Sequence, residues 1–238
     1  MRLFPRNSAI HPKAHHPPYK SSTLRAPSHR PLQLPSTPTE ETGPVFGHDI
    51  LGPLDADLTR NFGATDAVAL GSQIIVHGRV QDETGRPVPN ALIEIWQANA
   101  AGRYRHRNDE YTAPLDPNFG GCGRTITDPG GAYSFRTIKP SPYPWPNGPN
   151  SWRPAHIHFS LFGSAFGQRL ITQMYFEGDP LIPLCPIVSA ISDEGAVDQL
   201  TAPLDLDATQ PMDALAYRFD IVLRGRTQIQ FENRRDGL

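Results

Sequence analysis

The chain has very little cysteine and no cysteine motif. Cys122 and Cys185 stand alone, with no C-x-x-C anywhere. That excludes a disulfide framework and a cysteine-bound zinc ribbon, and leaves two ordinary thiols. Long apolar runs are missing as well. Nothing approaches the ~20 residues that span a bilayer, and the opening MRLFPRNSAI has no continuous apolar core of the kind a secretory leader needs. Neither sign of charge dominates: the formal net charge is -2 over 238 residues. That balance argues against nucleic acid or a membrane surface as partner. A soluble, cytoplasmic protein is expected. Long helices are excluded by punctuation, because 26 prolines and 20 glycines cut the chain into short pieces. Only residues 194–204 read as a helix.

What is present divides near residue 45. Before it, prolines recur at 5, 12, 17, 18, 27, 31, 35, 38 and 44, and no hydrophobic period survives that density. Residues 1–45 are expected to be an extended, locally basic arm, polyproline-like in parts. It is read either as a free tail or as a segment that wraps a neighbouring subunit. Residues 46–238 read as one all-β domain. From Gly71 onward, runs rich in β-branched and aromatic residues alternate with turn clusters: SQIIVHGRVQD, ALIEIWQAN, GRTITD, AYSFRTI, AHIHFSLFG, RLITQMYFEG, LAYRFDIVLRG and TQIQFEN. In ALIEIWQAN, Ile93 and Ile95 share one face, Leu92 and Trp96 the other. The expected architecture is an antiparallel β-sandwich with little helix. Two long connections, residues 104–121 and 139–154, interrupt it, and such loops usually carry function.

WRPAHIHFSL holds the sharpest chemical feature. On a strand, residues i and i+2 face the same way, so His156 and His158 are neighbours on one face and Ile157 points to the other. Two imidazoles so placed can bind one metal, or can simply be a pair of satisfied histidines. No other His motif or cysteine pair completes a site. The remaining oxygen donors in the long loops are Tyr104, Asp109, Glu110, Tyr111, Asp116 and Tyr143. Carboxylates would point to a ferrous oxygenase or a zinc site. Tyrosines point to a harder ion: a phenol loses its proton only near pH ~10 unaided, and ferric iron is the usual biological Lewis acid that holds the phenolate at neutral pH.

The motifs around these residues resemble those of the intradiol ring-cleaving dioxygenases. EIWQANAAGRY matches that family's W-x-A-N-x-x-G-x-Y run, and YPWPNGPNSWRPAHIHF its Tyr…Arg-Pro-Ala-His-x-His run. RHRNDEYTAPLDPNFGG and QMYFEGDPLIPLCPIV extend the likeness over nearly the whole chain from Gly71. They narrow it to the iron-bearing chain of the branch that acts on protocatechuate, a carboxylated catechol. The resemblance implies a non-haem Fe(III) ion held by Tyr104, Tyr143, His156 and His158, with Tyr143 the ligand that substrate releases. Tyr111 is the alternative to Tyr104, but it falls outside the motif frame. Charge counting agrees: a catechol arriving as a dianion that displaces one phenolate and an iron-bound hydroxide adds no net charge to a buried pocket.

The same resemblance makes Arg153 the group that stabilises negative charge on the substrate ring. Gln173 is then its partner, Trp145 and Ile187 are apolar walls, and Tyr19 and Arg25 are arm residues that reach the pocket. It implies ring opening between the two hydroxylated carbons, with both atoms of O2 incorporated. It also implies a homologous α chain, lacking the iron ligands, in a hetero-oligomer. Arg153 poses a geometric question, because three residues before His156 it would face away from the metal unless Pro154 breaks the strand. Three other readings remain at this stage: a catechol or hydroxyquinol dioxygenase, a non-catalytic transthyretin-like module suggested by GRVQDETGRPVPNALIEIW, and a zinc hydrolase built on H-x-H.

Overall fold

The computed structural model describes residues 10–29, 50–162 and 169–223. The expected division near residue 45 and the expected last strand, TQIQFEN, lie outside those residues. Within them the chain is built from two five-stranded sheets. One contains β1 (Gln73–Gln81), β4 (Ala132–Ile138), β10 (Leu204–Gln210), β11 (Ala214–Arg218) and β12 (Ile221–Val222). The other has the order β3 (Cys122–Ile126), β2 (Leu92–Gln97), β7 (His156–Phe162), β8 (Arg169–Phe176) and β9 (Thr201–Ala202). The turns form where expected. Asp128 accepts from the backbone of Gly130 and Ala132 to close the Pro-Gly-Gly turn, and Asp82 does the same for Thr84 and Arg86.

The expected antiparallel pairing holds for β1–β4, β10–β11, β2–β3, β2–β7 and β7–β8, while β1 with β11, β1 with β12 and β8 with β9 run parallel. The two parallel pairs on β1 come from late segments returning beside a strand laid down much earlier, which strand pattern alone does not reveal.

The core lies between the sheets. Along β7, Ile157, Phe159 and Leu161 are almost fully buried on the core face. Phe159 meets Tyr133, Phe135 and Phe219 with ring centroids 6.2, 5.9 and 5.1 Å away, joining the second sheet to residues around the first. The opposite face of β7 carries His156, His158 and Ser160. It is covered by the two long loops, so this central strand is enclosed on both sides.

Two expectations about helix change. Residues 20–25, inside the arm read as extended, form a short helix α1 (Lys20–Arg25). The segment KSSTLR between Pro18 and Pro27 is long enough for one turn and a half, and Ser22 closes it by exchanging hydrogen bonds with the His16 backbone. The helix expected over 194–204 stops early, as α2 (Glu194–Asp198), capped by the Asp193 carboxylate on the Ala196 N–H. Thr201 and Ala202 are captured instead as an edge strand by β8. Among the described residues no helix is long and apolar enough to cross a membrane.

Candidate metal centre

The site is assembled on the outer face of the β2–β7–β8 sheet. Directly opposed residues on antiparallel strands share a face. Trp96 opposes His158, Gln173 opposes His158 from the other side, and Tyr175 opposes His156. All five therefore project together. Trp96 stacks flat on the His158 ring, centroids 4.8 Å apart and planes within 4°, which fixes that imidazole's orientation.

The two tyrosines arrive from the loops. Tyr104 is delivered by the turn that follows β2. Asn99 accepts from the N–H groups of Ala101 and Arg103 and donates to the Pro114 carbonyl. Gly102 has φ +79°, and a Cβ there would lie 2.6 Å from the Pro142 carbonyl oxygen; no other residue fits where this loop crosses the one carrying Tyr143. Arg103 braces the loop from within by donating to the carbonyls of Tyr111, Ala113 and Asp109. Asp109 accepts from the Tyr104 N–H at 2.7 Å. Tyr111 belongs to this bracing and Tyr104 to the ring cluster, so the geometry favours Tyr104 of the two.

Tyr143 sits in a short hairpin that the sequence reading had as plain loop. β5 (Tyr143–Pro144) pairs with β6 (Trp152–Arg153), placing Tyr143 opposite Arg153. This answers the question of where Arg153 points. It belongs to a separate strand ahead of β7, Pro154 breaks the continuity, and the alternation that would send it away never applies.

The four aromatic side chains converge. Ring centroids lie 5.4 Å apart for Tyr104–Tyr143, 5.6 Å for Tyr143–His156, 4.9 Å for His156–His158 and 6.2 Å for Tyr104–His158. His156 Nδ1 is 2.7 Å from the Pro154 carbonyl, which can only accept, so Nδ1 carries the hydrogen and Nε2 keeps its lone pair. That lone pair faces Tyr104 Oη at 3.3 Å. Burial, then the charges of Arg153 and His158, hold His156 well below the ordinary histidine range despite the Pro154 bond, so it is a neutral donor. Burial raises the Tyr143 phenol, with Arg153 and the bond to Tyr104 pulling the other way. Among the described residues no three His, Cys, Asp or Glu side chains gather as a metal would need. A ligand set here must use the tyrosines, and two phenols with two imidazoles suit a hard, highly charged ion.

Arg153 is buried, donates to Gln173 Oε1 and lies over the Trp145 ring at 5.5 Å. Burial works against its charge, but the neighbouring phenols of Tyr175 and Tyr143 more than offset it. Tyr175 Oη donates to the same Gln173 oxygen at 3.1 Å, which fixes the orientation of that amide. Tyr19 reaches the site through Trp145, with centroids 5.6 Å apart. Arg25 is exposed, and its guanidinium lies 4.8 Å above the Tyr19 ring. Ile187 is partly buried at the N-terminal end of a 3-10 turn, Val188–Ala190. Cys185, two residues earlier and fully buried, is close enough to influence Tyr143 and Arg153.

Sequence reasoning missed Tyr175, and it weighed Asp109 only as an oxygen donor, not as the brace of the Tyr104 backbone. Tyr175 had a usable signal, because it lies two residues after Gln173 on the same strand. The bracing role of Asp109 had none, since it depends on the fold of its loop.

A family model described as Dioxygenase matches residues 41–225, and one described as Protocatechuate 3,4-dioxygenase beta subunit N terminal matches residues 4–37. The chain is 53% identical over 230 residues to the protocatechuate 3,4-dioxygenase beta chain of Burkholderia cepacia, covering 97% of each chain. It is 29% identical over 205 residues to the protocatechuate 3,4-dioxygenase alpha chain of Pseudomonas putida, covering 83% of this chain and 96% of that one. Its fold is similar to the crystal structure of 3-chlorocatechol 1,2-dioxygenase from Rhodococcus opacus 1CP, with TM-score 0.53 and 26% identity, covering 86% of this chain and 78% of that one.

Proposed function

The chain belongs to the intradiol dioxygenase family, and from that premise we propose that it is the iron-bearing β chain of a protocatechuate 3,4-dioxygenase. The reaction opens 3,4-dihydroxybenzoate between its two hydroxylated carbons. Both atoms of O2 enter the product, 3-carboxy-cis,cis-muconate. The observation that carries this reading is the convergence of Tyr104, Tyr143, His156 and His158 on one face, in a chain that matches a protocatechuate enzyme end to end. The same ring cluster weighs against a zinc hydrolase and against a non-catalytic module, neither of which calls for two buried phenols beside two imidazoles.

A ferric ion would be held by those four side chains. When bound, it supplies a Lewis acid that keeps the catechol as its dianion and opens the ring to attack by O2. The chain's own groups do the rest. The Pro154 carbonyl holds the His156 proton on Nδ1, so that Nε2 is always available. Tyr143 Oη, on a two-residue strand in a proline-rich loop, is the base that takes up a catechol proton and moves aside. Arg153, permanently charged and held by Gln173, faces the ring as negative charge builds there. Trp145 and Ile187 form apolar walls. Tyr19 and Arg25 face the substrate carboxylate, which plain catechol lacks. A homologous α chain without the four ligands completes the assembly, as the likeness to the Pseudomonas putida alpha chain supports.

Phenolate-to-ferric charge transfer absorbs visible light, so the iron-loaded protein is expected to be red-brown and to consume O2 with protocatechuate faster than with catechol. The assay is run with and without the α chain. A colourless but fully metallated protein, or equal uptake with both substrates, defeats the reading.

A further inference from the structure

We propose that Asn147 is a positioning residue for the substrate pocket, clamping the arm to the loop that carries Trp145 and so setting where Tyr19 stands. This rests on the protocatechuate reading above and adds a determinant of specificity that does not touch substrate. Asn147 lies between β5 and β6. Its Nδ2 donates to the Pro18 carbonyl at 2.9 Å and its Oδ1 accepts from the Lys20 N–H at 2.8 Å. A side-chain amide offers a donor and an acceptor in one plane, and here the two are used on either side of a single residue, Tyr19. The partners are 129 and 127 positions apart in the chain.

The clamp is the first link of a relay into the site. The Tyr19 ring rests against Trp145, and Trp145 lies under the Arg153 guanidinium. The arm is fastened a second time on the far side: the Lys13 N–H donates to the Ala190 carbonyl, and His16 Nε2 is 3.0 Å from Ser189 Oγ on the turn that follows Ile187. One arm thus joins the Trp145 wall to the Ile187 wall, and on the Trp145 side Asn147 supplies the side-chain bonds. A carboxylated catechol differs from catechol only by the group that meets this outer wall. Displacing Tyr19 therefore affects the two substrates unequally.

The test uses the iron-loaded, assembled enzyme with Asn147→Leu, which removes both bonds and keeps the branched heavy-atom outline, and Asn147→Asp, which keeps the acceptor for Lys20 but loses the donor for Pro18. With either variant we expect KM for protocatechuate to rise about three- to tenfold, the scale of losing one or two exposed hydrogen bonds. KM for catechol and the visible band should not move, kcat should stay within about twofold, and amide hydrogen exchange over residues 17–25 should quicken. A parallel change in KM for both substrates, no change in either, or unaltered exchange in that segment overturns the proposal. If the unmodified enzyme does not turn over protocatechuate, the substrate reading falls by itself, and the exchange comparison still decides whether Asn147 holds the arm.

Discussion

As a proposed iron ligand, Tyr143 would have to be an anion in a place where burial favours the neutral phenol. Arg153 and Tyr104 pull against burial without overcoming it, so the phenolate depends on a cation arriving. The Tyr143→Phe and Tyr104→Phe variants should each shift or bleach the visible band of the iron-loaded protein, and an unaltered spectrum would show that the residue replaced is not a ligand. Arg153 belongs to the same balance. Its guanidinium spans from Gln173 Oε1 to the Trp145 face, a reach and planarity that lysine does not reproduce. Arg153→Lys should keep the colour and lower kcat by about 10²- to 10³-fold, the usual cost of one preorganised charge-stabilising donor, as read by steady-state O2 uptake. At this scale the sequence was informative about chemistry and silent about aim. The residue types and the i, i+2 spacing pointed to the histidines, whereas the direction of Arg153 waited on the β5–β6 hairpin.

The loops that carry the tyrosines are held by a few backbone constraints. Gly102 is the tightest of them. Its φ of +79° is left-handed, and an added Cβ would also strike the Pro142 carbonyl. Gly85 has a similar φ, +81°, with nothing within 4 Å of a built Cβ. Gly85→Ala should therefore cost about 1 kcal/mol of backbone strain alone. Gly102→Ala should cost clearly more and also reduce iron content, because it pushes the Tyr104 loop away from Tyr143. Thermal unfolding and metal analysis of the two variants side by side check this; equal effects would mean that the close approach is unimportant. The elements themselves were legible where alternation and turn chemistry agreed, as in β2, β4 and β7. They were not legible where a distant strand decided the outcome: Thr201 and Ala202 left the expected helix because β8 offered them an edge. The helix in the arm was hidden by its flanking prolines.

For the molecule as a whole, the histidine face and the core face are the two sides of one strand. Ile157, Phe159 and Leu161 anchor β7 between the sheets, and that anchoring holds His156 and His158 rigid. Phe159→Ala should cost about 3–5 kcal/mol, since it empties the meeting point of Tyr133, Phe135 and Phe219. Denaturant unfolding at fixed protein concentration measures it, with concentration held because assembly contributes to apparent stability. A loss below about 1 kcal/mol would mean that the sheets meet differently.

The sequence by itself determined the candidate donors and which of the strand residues share a face. Strand alternation is a local property of the backbone, so the shared face of His156 and His158 follows from residue order alone. Only the tertiary structure decided that Tyr104, Tyr143 and Arg153 arrive over that face, and that the arm crosses from one pocket wall to the other through Asn147. Those positions depend on loop crossings between segments far apart in the chain. Their energies lie in single hydrogen bonds and close approaches, which leave no periodic trace in a sequence.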